Sequence, residues 1–195
     1  MSTSVDKSVP RARLSADQAR AKILDAAALA FTRAGYDTVG VREIAQCAGV
    51  DPAMIPRLFG SKEALFRLIA DRAFSLEPAF EGPLDKLGAR VARHLLGPVV
   101  ATDTASFDEF AFLLGSVGSP TAAPILSEAL HRDFIQPLAK RLKGRDTAAR
   151  AALLTSYVMG FAVLRAGLGS PAIESADSRF LVAQLGAAIQ KCIDG

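Results

Sequence analysis

The chain has 195 residues, half of them hydrophobic, with two cysteines and a formal net charge of +3. That length fits one ordinary domain or two small ones sharing a core, and the apolar content excludes a wholly disordered chain. Cys47 and Cys192 are far apart and lack metal-ligand spacing, which excludes a disulfide framework and points to a reducing compartment.

Residues 1–14 are polar, contain Pro10 and show no periodicity, and they read as a flexible arm bearing Lys7, Arg11 and Arg13. Ser15 or Asp17 then caps a helix expected to run to about Ala34, with Ile23, Ala27 and Phe31 on its apolar side and Gly35 as its stop. A second helix is expected over Val41–Ala48, closed by Gly49. A third starts from Asp51 as cap, with Pro52 in the first helical position, and ends near Phe59–Gly60. Ser61 caps a fourth, with Leu65, Phe66 and Ile69 turned inward.

Pro78, Gly82 and Pro83 mark a break, which divides the chain into the arm (1–14), a small N-terminal domain (15–77) and a C-terminal domain (78–195). Helix-period segments follow near 84–100, 106–117, 121–142, 147–168 and 177–193. Pro98 and Pro137 are expected to end or kink theirs. With no alternating strand pattern, the fold class is all-α, with about nine helices. No signal peptide and no apolar run of membrane-spanning length is read, so a soluble cytoplasmic protein without a membrane is expected.

Charge is unevenly placed. Residues 1–67 carry 10 Lys and Arg against 7 Asp and Glu, whereas residues 68–195 carry 13 of each. The excess positive charge suits a polyanionic partner.

Helix, Gly49, short helix and a further capped helix is the order of a helix-turn-helix module. Ala45 is small where the two helices cross, and Val50 and Ile55 are apolar where the motif packs on the first helix. Pro52, Ala53, Met54 and Arg57 are expected to face a DNA groove. Arg42 and Lys62 are expected to meet phosphates, Lys62 at a helix start suited to an anion.

The run AGYDTVGVREIAQCAGVDPAMIPRLFGSKEALF resembles the N-terminal domain of the TetR (tetracycline-repressor-like) family over roughly residues 16–70. The resemblance implies an all-α homodimer whose two recognition helices enter successive major grooves of a palindromic double-stranded DNA operator. It implies release of that DNA when a small molecule enters the C-terminal domain. The family usually places an aromatic residue or His near positions 56–58, where it meets the phosphate backbone. Here those positions hold Pro56, Arg57 and Leu58. Counted from Asp51, Pro56 is the fifth helical residue, and an interior proline costs ~3 kcal/mol. A kinked or loosened reading helix is therefore expected, with Arg57 replacing the lost contact.

His94, Phe110, Leu114, Phe134, Tyr157 and Phe161 are the candidate lining of an effector pocket, with Tyr157 and Arg165 as orienting polar groups. In the helix LLTSYVMGFAVLRAGLG, Leu154, Tyr157, Phe161, Leu164 and Leu168 form a bulky stripe. Ser156, Gly160, Val163 and Gly167 form a small-residue stripe suited to a two-fold dimer seam with the last helix. With no buried carboxylate cluster in view, the effector is expected to be apolar and neutral or anionic. No glycine-rich phosphate loop, nucleophile elbow or His/Cys/carboxylate cluster is present, so neither an enzyme nor a cofactor or metal is expected.

Two readings stand besides the ligand-responsive regulator, which the resemblance implies to be a repressor. One is a TetR-fold dimeric small-molecule-binding protein whose recognition helix is degenerate at Pro56. The other is a small helical enzyme acting on an apolar substrate, which lacks catalytic groups.

Overall fold

The computed structural model describes residues 15–74, 78–97 and 107–195. The basic arm over residues 1–14 and the bend expected at Pro98 lie outside the described residues. Within them every regular element is helical, as expected, and no strand occurs.

Helix α1 (Ala16–Thr38) opens on a reciprocal cap. The Ser15 hydroxyl accepts the Gln18 N–H at 3.1 Å, and the Gln18 side chain accepts the Ser15 N–H at 3.0 Å. The α-helical course breaks at Gly35 (φ 71°, ψ 174°), where the stop was expected, before the last short turn. Helices α2 (Val41–Ala48), α3 (Met54–Phe59) and α4 (Lys62–Ala73) follow. After single 3-10 turns at Pro78–Phe80 and Leu84–Lys86 come α5 (Leu87–Leu95), α6 (Glu109–Ser116), α7 (Ala122–Leu130) and α8 (Gln136–Arg141). The chain ends with α9 (Thr147–Ala162), α10 (Pro171–Glu174) and α11 (Ser178–Asp194).

Pro137 explains the shape of the α7–α8 run. A π-helical turn, His131–Ile135, separates the two helices, and the Gln136 N–H reaches back to His131 O. The widened turn places Pro137 at the start of a new helix, where its missing N–H is not needed. A second π-turn, Val163–Gly167, extends α9.

Two cores form. The first gathers Ile23, Phe31, Ile44, Ile55 and Phe66 from α1–α4 and adds Phe112, Ile125 and Leu126 from α6 and α7. Phe66 is at its centre, with ring centroids of Phe112, Tyr36 and Phe31 at 4.7, 4.9 and 5.1 Å. The second holds Phe80, Leu87, Val91, Leu138, Leu154 and Ile189. In it α5 and α11 meet backbone to backbone, since a Cβ on Gly88 would lie 2.2 Å from Gly186 O. The first core therefore runs continuously from the N-terminal helices into α6 and α7, across the break at Pro78–Pro83.

Candidate DNA interface and effector cavity

The turn between α2 and α3 is set by Gly49 in the left-handed region (φ 67°, ψ 35°), its N–H bonding Gln46 O at 3.1 Å while the Val50 N–H bonds Ala45 O at 3.0 Å. Ile55 and Phe59 are buried and fasten α3 to the core, whereas Pro52, Ala53 and Arg57 are exposed and Met54 is half-buried. Arg42 on α2 is exposed as well. Neither Arg42 nor Arg57 has a partner among the described residues, so both guanidinium groups face outward available to anions.

The kink expected at Pro56 is absent for a local reason. The Asp51 carboxylate accepts the Ala53 N–H at 2.8 Å and holds residues 51–53 in a turn, so α3 begins at Met54, two residues later than Pro52. Pro56 is then in the first turn, where helical N–H groups lack intrahelical partners anyway. The carbonyl of Pro52, which a residue with an N–H at position 56 would have bonded, instead accepts the Ile55 N–H at 3.2 Å. The helix closes with the Gly60 N–H on Pro56 O at 2.9 Å.

Lys62 departs from its expected role. Its ammonium donates to Tyr36 O at 2.8 Å and Val39 O at 3.1 Å and lies 4.1 Å from the centroid of the Tyr36 ring. These are the carbonyls at the end of α1, where a cation is favoured, so the side chain ties α4 to α1 rather than pointing at a phosphate. Ser61 caps α4 by accepting the Ala64 N–H at 3.0 Å. The N–H groups of Lys62 and Glu63 still lack intrahelical partners. Sequence reasoning missed Arg20. Its guanidinium donates to Leu58 O at 2.9 Å and lies 4.5 Å over the Phe59 ring, bracing the end of α3.

A cavity of about 200 Å³ opens between α4, α5, α6, the α7–α8 run and α9. Phe74, Phe80, Phe110 and Phe134 line it, with Val91, Leu95, Leu130, Val158, Met159 and Ala162, and with His94 and Glu109 as its ionisable groups. His94, Phe110 and Phe134 are thus brought together as expected. Leu114, Tyr157 and Phe161 are not among the lining residues. Leu114 on α6 is 38% exposed, and Tyr157 is 45% exposed because α9 presents Leu154, Val158 and Ala162 inward and turns Tyr157 out. Arg165 is not free to orient a ligand either. It donates to the carbonyls at and just beyond the end of α5, those of Leu95, Leu96 (3.3 Å) and Gly97 (2.8 Å). The wall carrying Phe80 is pinned from two sides, by Arg141 to Phe80 O and Gly82 O and by Arg90 to Ala79 O, Glu81 O and Pro83 O.

Helix α6 runs from this cavity to the end of α1. Glu109 and Phe110 line the cavity at one end. At the other, the buried Ser116 hydroxyl accepts the Tyr36 N–H at 3.1 Å, and the Ser119 hydroxyl just beyond donates to Asp37 at 2.8 Å.

The outer face of α9 is apolar and open. Leu153, Tyr157 and Leu164 are 56%, 45% and 48% exposed, Leu168 is 70% exposed, and Phe180 on α11 is 59% exposed. Gly160 stands in the same row. The continuous helix Thr147–Gly167 is 21 residues long with mean hydropathy 1.4, which by length and composition could cross a membrane. This corrects the sequence expectation that no such run exists. Only 17% of its apolar window is fully buried, and the row through Leu153, Tyr157 and Leu164 is the part left open in the protomer.

Comparison with known proteins gives a consistent result. A family model for bacterial regulatory proteins of the tetR family matches residues 23–69, and one for the tetracyclin repressor-like C-terminal domain matches residues 85–193. No curated protein matches the chain. Among solved structures, a TetR-family regulator from Streptomyces coelicolor A3 is 26% identical, with TM-score 0.62 over 95% of this chain and 99% of its own. The multidrug binding protein EbrR complexed with ethidium is 21% identical, with TM-score 0.65 over 88% of this chain and 98% of its own. NalD of Pseudomonas aeruginosa, the secondary repressor of the MexAB-OprM multidrug efflux pump, is 17% identical, with TM-score 0.60 over 89% and 97%. At their identities the last two share the fold alone. With both family models matched in order along it, the chain belongs to the TetR family of non-enzymatic, helix-turn-helix DNA-binding transcription regulators.

Proposed function

We propose that the chain is a cytoplasmic, ligand-responsive repressor that binds a palindromic operator as a homodimer and releases it when a small, largely apolar effector enters the cavity. Arg42 and Arg57 meet phosphates, together with the open N–H groups at the start of α4, while Pro52, Ala53 and Met54 face the base edges. A degenerate recognition helix was suggested by an interior proline, and with Pro56 in the first turn that ground is removed.

Dimerisation covers the open apolar row of α9 and α11 with its two-fold copy. Exposed apolar patches of this kind mark interaction sites, and an isologous seam pairs the row with itself.

The observation that carries the ligand response is the placement of α6, with one end in the cavity and the other bonded to Tyr36 and Asp37. A ligand that displaces Phe110 shifts α6, and α6 moves the end of α1 and, through the Lys62 bonds, the start of α4. The transmission is thereby assigned to α6. Calorimetric titration of ligand with and without operator tests it. By linkage the two affinities should differ ~5–150-fold, and equal affinities would exclude regulation through this cavity.

A further inference from the structure

The lining of the cavity is apolar except at Glu109 and His94, and it contains no Lys or Arg among the described residues. Glu109 is the first residue of α6 and is exposed at the cavity edge. Its carboxylate makes no hydrogen bond or ion pair with any described residue, whereas the neighbouring Asp108 is used as the helix cap, accepting the Ala111 N–H at 2.7 Å. One carboxylate without a bonded partner among the described residues thus shares the cavity lining with four phenylalanine rings. Faces of aromatic rings attract cations, and an anion placed there would meet both the rings and the carboxylate unfavourably.

Size limits the occupant further. An apolar cavity of roughly 150 Å³ accepts benzene, so about 200 Å³ takes one ring with a short substituent. We infer that the cavity selects a compact monocation with one apolar ring over neutral and anionic molecules of the same size, with Glu109 facing the charge and Phe74, Phe80, Phe110 and Phe134 enclosing the ring. This rests on the cavity being the effector site and reverses the neutral or anionic ligand expected from the sequence. A single edge carboxylate, rather than the buried cluster looked for there, is enough to set the sign.

Benzylammonium, benzyl alcohol and benzoate share one ring and nearly one size and differ in charge, so they serve as probes. Chemical-shift titration of the full chain should show benzylammonium perturbing the cavity residues and binding about tenfold more tightly than either other probe, the gain typical of a charge-assisted contact. In Glu109→Gln that preference should disappear while benzyl alcohol binds as before. Because the Glu109 carboxylate has no bonded partner among the described residues, the variant should keep the wild-type melting temperature. If benzyl alcohol fills the cavity and benzylammonium gains nothing, or keeps its advantage in Glu109→Gln, the cation assignment is overturned and the effector cavity stands. Tighter binding of benzoate overturns it likewise. If none of the three perturbs the cavity residues, both the assignment and the effector cavity fall.

Discussion

Gly35 and Gly115 cross so closely that a Cβ on Gly35 would lie 2.0 Å from Gly115 O. Gly35 also holds φ +71°, a conformation L side chains rarely adopt. This crossing seats the last turn of α6 against the end of α1. Gly35→Ala should therefore lose at least ~2 kcal/mol of stability, from steric overlap and backbone strain together. Urea denaturation measures it, and a loss below ~0.5 kcal/mol would mean that the two helices separate without cost.

Ser116→Ala addresses the transmission itself. Removing the hydroxyl leaves the Tyr36 N–H buried without its acceptor, at a cost of ~1–3 kcal/mol. The fold should survive and both ligand and operator should still bind, but the factor by which each weakens the other should shrink. Unchanged coupling in paired titrations would remove this bond from the pathway.

Basic residues around α3 should separate into two groups. Arg42→Ala and Arg57→Ala should each weaken operator binding across sequences and lower the salt slope by about 1. Lys62→Ala should leave the slope nearly unchanged and instead lower the melting temperature, because its ammonium bonds Tyr36 O and Val39 O. A slope that falls by a full unit in Lys62→Ala would restore it as a phosphate contact.

Pro56→Ala should change stability by less than ~1 kcal/mol. Relief of an interior proline would return ~3 kcal/mol, and a gain of that size in thermal or chemical unfolding would show that α3 is strained in the way the sequence suggested.

Gly160→Phe is a clean probe of the seam. A Cβ there meets nothing within 4 Å in the protomer, so the variant should fold normally. Light scattering should nonetheless show monomer, since the new side chain stands in the middle of the exposed apolar row. A stable dimer of wild-type mass would move the interface to another face.

The helix-turn-helix was legible because its signals are local. Ser15, Gly49 and Ser61 cap or stop their helices within a few residues, and apolar residues at helical spacing, such as Ile23, Ala27 and Phe31 on α1 or Leu65, Phe66 and Ile69 on α4, mark the buried sides. The start of α3 was misjudged because Asp51 bonds Ala53 in a turn, which a helix N-cap with proline behind it resembles closely. Lys62 was misassigned because its partners are 23 and 26 residues away and converge only in the fold. The face of α9 was misjudged for another reason. That helix is apolar nearly all round, so periodicity cannot choose between the row with Leu154, Val158 and Ala162, which faces the core and cavity, and the row with Tyr157 and Leu164, which lies open.

Selection of sequences from a random double-stranded DNA pool by the full chain at low salt tests the reading most directly. A functional pair of α3 helices should enrich a palindrome whose half-sites lie one helical turn apart, ~10–10.5 base pairs centre to centre, or a multiple of that spacing. Arg57→Ala should retain the same palindrome at reduced affinity. A pool left without any enriched sequence would contradict a DNA-reading role for this chain.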